Sequence, residues 1–125
     1  AVYGNGVDEA NIPGDVVLAG NNVPQPGLTI DGNLTLEKND LAAVFVKVTG
    51  DVVINGNNCV FAGSDVFGAL TVTSNNVTLV QNTVQGAFTA GGNNGACTDN
   101  HAFVDDNDDG NVDVAEVSDD ELTCD

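Results

Sequence analysis

Six side chains near the C-terminus hold the densest oxygen chemistry in the chain. Asp105, Asn107, Asp109, Asn111, Asp113 and Glu116 occupy positions one, three, five, seven, nine and twelve of the stretch DDNDDGNVDVAE. Calcium takes six to eight hard oxygen ligands, and this spacing wraps them around one ion. Gly110 stands at position six, where the chain must turn sharply. Asn111 would contribute its backbone carbonyl, Asp113 would bind directly or through water, and Glu116 would bind through both carboxylate oxygens. A solvated acidic linker is the plain alternative. The match at every defined position favours calcium as the bound cofactor.

The pattern resembles the EF-hand calcium loop, but its flanks depart from that family. GACTDNHAFV ahead of the loop is a poor helix, whereas VAEVSDDELT after it suits a short one. A lone loop is similar to the isolated calcium loops of dockerin-like extracellular modules. That resemblance implies a structural ion held weakly, with a dissociation constant of about 0.1–1 mM, rather than a moving switch. His101, the single histidine, has no Ser, Cys or second His at motif spacing. It reads as a surface or packing residue.

Cys97 and Cys124 bracket the loop. A disulfide between them would stabilise the tail by about 3–4 kcal/mol in the chain-entropy treatment, and disulfides persist in oxidising compartments. The chain starts at Ala1 and contains no Met. Removal of a secretory signal is the expectation, which places the protein outside the cell or on its surface. Asn33 in NLT and Asn76 in NVT are candidate glycosylation sites.

The charge balance excludes whole classes of function. Nineteen acidic residues face only Lys38 and Lys47, for a formal net charge of −17. Nucleic-acid binding needs a basic surface and is ruled out; anionic lipid is disfavoured for the same reason. No stretch reaches the roughly 20 apolar residues of a membrane span. Eleven of the nineteen acids lie in residues 99–125, so the tail differs from the body.

The body is built from a repeat. Residues 10–27, 28–45 and 46–63 share apolar-x-apolar-x-Gly-(Asp/Asn) followed by apolar-x-apolar-x-x-Asn-x-apolar. Six residues, SDVFGA, then read as an insert before a fourth unit at 70–88. On that alignment Ile12, Ile30, Val48 and Val72 form one column. Val16, Leu34, Val52 and Val77 form a second, and Leu18, Leu36, Ile54 and Leu79 a third. Gly14, Gly32 and Gly50 mark one corner, and Asn21, Asn39, Asn57 and Asn82 the next. Val23, Leu41, Cys59 and Val84 make a further apolar column, which casts Cys59 as a buried hydrophobe.

Short apolar-x-apolar runs broken by Gly and Asn are strands and turns, not helix. The predicted fold is all-β: a short parallel β-solenoid of about four 18-residue coils, with Gly or Asn left-handed at the corners. Residues 1–9 would cap it or join a neighbouring subunit, 10–90 would form the solenoid, and 91–125 the acidic calcium-binding tail. The repeat resembles parallel β-helix proteins. NNVTLVQNTVQG at 75–86 is similar to a coil of the pectate-lyase-like family, and the hexad-like spacing also resembles hexapeptide solenoids and bactofilins.

These features predict a calcium-stabilised extracellular structural protein that self-assembles into a filament, matrix or surface layer. The partner would be further copies of the chain. A secreted adhesin or carbohydrate-binding module, with a polysaccharide partner, is the alternative. A uronate lyase needs cationic residues that this chain lacks, so the protein is not expected to be an enzyme. Ranks of outward Thr for ice binding would run Asn11, Thr29, Lys47, Thr71 and Val17, Thr35, Val53, Thr78, and both are broken.

Overall fold

The computed structural model describes residues 1–4, 7, 9–20, 24–90 and 94–124. Asn21 and Val23, assigned above to two columns, lie outside the described residues. The chain winds as a parallel β-solenoid. Each coil lays down three short strands because turns interrupt the apolar-x-apolar runs, several of them at Gly, Asn or Asp.

The first coil holds β2 (Asn11–Pro13), β3 (Val16–Leu18) and β4 (Pro24–Pro26), and the second β5 (Thr29–Asp31), β6 (Leu34–Leu36) and β7 (Ala42–Val44). The third holds β8 (Lys47–Val48), β9 (Val52–Ile54) and β10 (Val60–Ala62). The fourth holds β11 (Asp65–Val66), β12 (Leu70–Val72) and β13 (Thr78–Val80). The fifth holds β14 (Thr83–Val84), β15 (Phe88–Thr89) and β16 (Cys97–Thr98). Before the coils lies β1 (Val2–Tyr3); after them come β17 (Asn100–Phe103) and β18 (Val117–Leu122).

Stacking produces three sheets. The first side runs β2-β5-β8-β11-β14-β17-β18, the second β1-β3-β6-β9-β12-β15, and the third β4-β7-β10-β13-β16. Among the described residues every pairing is parallel except β17 with β18.

The 18-residue register continues unbroken from the third coil into the fourth, which corrects the alignment after residue 63. Asp65 pairs with Lys47 and Val66 with Val48. SDVFGA is therefore the start of a regular coil, not an insert, and the stack has five coils. Val66 and Val84 continue the Ile12, Ile30, Val48 column. Leu70, not Val77, follows Val52, and Val72, not Leu79, follows Ile54. Leu79 instead follows Ala43 and Phe61 on the third side, ahead of Cys97. The fifth coil thus closes inside the segment read as tail.

The inward columns form one core, with Ile30, Val48, Val66 and Val84 all at 0% exposure. Each buried Val, Leu or Ile contributes about 1.5–3 kcal/mol. Cys59 sits between Leu41 and Val77, fully buried. Loss of water raises its thiol pKa, which keeps it protonated and unreactive.

Asparagines serve two different purposes. At an outer corner the Asn57 N–H donates to Asn39 Oδ1 (2.8 Å), and the Asn75 N–H to Asn57 Oδ1 (2.9 Å). Asn82 is not in this corner ladder. It lies inside the core in line with Ser64 and Asn100, each 18 residues apart and at most 1% exposed. Its Nδ2 donates to the Phe61 carbonyl (2.8 Å) and to Asn100 Oδ1 (2.9 Å). Asn100 Nδ2 donates to the Leu79 carbonyl at 2.8 Å. Complete pairing makes these buried amides tolerable.

Left-handed backbone occurs at Asp40, Asn58 and Asn76 on one corner. On another it occurs at Gly27, Phe45, Gly63, Gln81 and Asp99. Gly32 is not left-handed; it is needed for close approach, since a Cβ there would lie 2.6 Å from the Gly14 carbonyl carbon. Gly32→Ala should therefore cost about 1–3 kcal/mol by overpacking, read as a lower urea midpoint at unchanged m-value. Gly4→Ala, where a Cβ meets nothing within 4 Å, should leave the midpoint within experimental scatter.

Candidate metal centre

The calcium-loop residues sit in the turn of a β-hairpin. β17 leads in and β18 leads out, antiparallel, with Asn100 opposite Leu122 and Phe103 opposite Val117. The helix expected after the loop is only a 3-10 turn over Val114–Glu116 before β18 begins. Pairing with β17 overrides the weak helical tendency of VSDDEL, because the last strand of the first side offers a row of unpaired backbone groups.

Within the turn, Gly110 adopts φ +74°, and its N–H donates to Asp105 Oδ2 at 3.0 Å. The Asn111 N–H donates to Asp109 Oδ1 at 2.9 Å. Glu116 folds back over the loop: its Oε2 accepts from the Asp106 N–H (2.8 Å) and its Oε1 from the Asp113 N–H (2.9 Å). These bonds bring one carboxylate oxygen each from Asp105, Asp109 and Glu116 within 4.8 Å of one another.

Asn107 and Asp113 border this cluster. Asn107 Nδ2 donates to Asp109 Oδ2 (3.3 Å) and Asp113 Oδ2 (3.2 Å), so its amide must turn to offer oxygen to an ion. The side chain of Asn111 points away, toward Lys47.

The loop fits a hard cation on its own chemistry. Asp105 Oδ1 is buried and, among the described residues, has no hydrogen-bond partner. An orphaned carboxylate oxygen carries a desolvation penalty that a bound cation would relieve. That loss of water raises the Asp105 pKa, with the neighbouring Asp109 adding to the rise. Asp109 moves the other way, held low first by the hydrogen bond from the Asn111 backbone. All the converging donors are oxygens, which suits calcium over a thiophilic metal. Asp105, Asp109 and Glu116 would hold it, joined by Asn107, the Asn111 carbonyl and Asp113.

The solenoid positions the loop from its flank. Gln85 Oε1 accepts the Asp105 N–H at 2.6 Å. Phe103, 1% exposed, packs edge-on against Phe67 with ring centres 5.0 Å apart. These contacts have no local sequence signal. The 18-residue register would have revealed them in part, since it places Phe67 and Gln85 in line on one outer face. Cys97 and Cys124 form the disulfide, with Cα atoms 5.6 Å apart, tying the end of the hairpin to the third side.

His101 contributes to hairpin pairing: its Nδ1 lies 2.9 Å from the Asp120 carbonyl. Asn33 and Asn76 both stand exposed at corners. Asn33 Oδ1 accepts the Asp51 N–H at 2.7 Å, whereas Asn76 is left-handed at φ 62°.

Asp105→Asn should weaken calcium binding at least tenfold, about 1.4 kcal/mol or more, measured by calorimetric titration. Its melting temperature in chelator should not fall, because the orphaned charge is removed. The Cys97→Ser/Cys124→Ser variant should lose about 3–4 kcal/mol of stability, read from denaturant melts against the oxidised protein. No family model matches this chain, and no curated protein or solved structure does.

Proposed function

We propose that the protein is an extracellular structural unit, a short β-solenoid whose C-terminal end is closed and stiffened by calcium. The observation that supports this most is the antiparallel β18, which turns the last parallel edge of the first side into a hairpin. Its Asp119, Asp120 and Glu121 put charge on the outer strand, and charged edges resist further pairing. Calcium in the loop would fix the hairpin, and the disulfide would anchor it. A weak calcium loop is filled where calcium is millimolar, as outside cells.

The opposite end is blunted too. On the third side Val60 donates its N–H back to the Leu41 carbonyl, and its register partners are Ala42 and then Pro24. An amide at Pro24 would point off the sheet edge, but proline has none. Assembly into a matrix or surface layer would then run side by side rather than along the axis. The third side suits that: its outward Ala42, Val44, Val60, Ala62, Thr78 and Val80 include no carboxylate.

A carbohydrate-binding role is the second reading. It draws on a crevice of about 290 Å³ between the loop and the first side, lined by Lys47, Thr49, Phe67, Gln85 and Asp108 among others.

Electron microscopy and sedimentation with millimolar calcium or with chelator test the structural reading. Calcium should raise the melting temperature and promote lateral association. At a hundredfold excess over its dissociation constant it should add about 2.7 kcal/mol. No change in melting or association would defeat the reading, and filaments growing along the solenoid axis would defeat the closed end. Retention on an insoluble polysaccharide, lost in Phe67→Ala, would favour the second reading instead.

A further inference from the structure

Lys47 is one of two basic residues among nineteen acids. It stands on β8, in register with Thr29 and Asp65. Asp65, its acidic neighbour, is engaged by the Thr83 hydroxyl at 2.6 Å. The Lys47 ammonium instead reaches a segment 64 residues away, where Nζ lies 3.3 Å from Asn111 Oδ1. The same ammonium is 5.5 Å from the centre of the Phe67 ring. The loop it touches carries six carboxylates, from Asp105, Asp106, Asp108, Asp109, Asp113 and Glu116.

Resting on the calcium reading of the loop, we infer that Lys47 is a tethered counter-cation for it. Lys47 holds the metal-free loop against the solenoid's flank and opposes calcium once the ion binds. The chemistry is a balance of like and unlike charge. Without metal, clustered carboxylates repel one another, and a nearby ammonium relieves part of that repulsion. With metal, the ammonium and a divalent ion share one short loop and repel. The aromatic face of Phe67 gives the ammonium a second place to rest, and the crevice between loop and flank leaves room for the movement. Lys47 thereby sets calcium affinity without being a ligand, and lets calcium replace a weaker, built-in cation.

The test compares the full chain with Lys47→Gln and Lys47→Arg. Calcium is titrated by calorimetry at about 20 mM and about 500 mM KCl, where the screening lengths differ severalfold. Lys47→Gln should bind calcium about fivefold more tightly at low salt, as expected for a unit charge several ångströms from a divalent ion in water. The difference should shrink at high salt. Lys47→Arg should keep wild-type affinity. In chelator, Lys47→Gln should melt below the wild type. A role confined to packing would not give opposite effects on affinity and metal-free stability. Weaker or unchanged calcium binding in Lys47→Gln, or an unchanged melting temperature in chelator, overturns the inference and leaves the calcium loop standing. Absence of calcium binding by the wild type overturns both.

Discussion

Parallel pairing at an interval of 18 residues constrains everything else in this molecule. Once Val48 stacks on Ile30 and Val66 on Val48, each inward side chain meets its equivalent one coil away, at the strand spacing of about 4.8 Å. Bulk, polarity and backbone conformation must then suit neighbours above and below. Glycine recurs at residues 14, 32, 50, 68 and 86, and from Gly32 onward a Cβ would run into the backbone of the preceding coil. Polar groups can enter the core only as a connected column, as Ser64, Asn82 and Asn100 do.

A stack of this kind has no intrinsic end. Its last coil presents unpaired strand edges and an uncovered core. The tail answers the first on one of the three sides and part of the second. Leu122 and Cys124 pack against the core, and β18 reverses direction along β17. Few apolar residues are available for this, and the tail is strongly acidic, so burial alone is a weak anchor. A disulfide takes over, joined on the proposed reading by a cation in the turn. The loop is accordingly placed between two strands rather than two helices, which removes the helix movement on which calcium sensors depend.

The same logic links the loop to the solenoid's flank. Lys47, Phe67 and Gln85 belong to three successive coils, yet all face the loop because the register aligns them on one side. A charge on the third coil can influence a turn near the C-terminus only because the stack brings them together.

Much of this was legible in the chain itself. Periodic apolar triplets with Gly-Asn and Gly-Asp corners specify a β-solenoid, since two-residue alternation and an 18-residue repeat are local and physical. The calcium-loop spacing is local too, so its candidate ligands could be named from DDNDDGNVDVAE, of which Asp105, Asp109 and Glu116 converge. The Cys97–Cys124 pair was readable because only two cysteines bracket that stretch. The register beyond residue 63 was not. SDVFGA lacks the Gly-Asp corner signature, and Asn82 looks like a corner residue until Ser64 and Asn100 are seen to satisfy its amide inside the core. Nor could the chain alone show that VSDDEL becomes a strand, because its composition disfavours β-structure and only the open edge of β17 supplies a reason. Pattern and spacing determined what each coil and the loop would be. Tertiary contact decided which residues stack, where the hairpin closes and which lysine faces the carboxylates, because those outcomes depend on partners far apart in sequence.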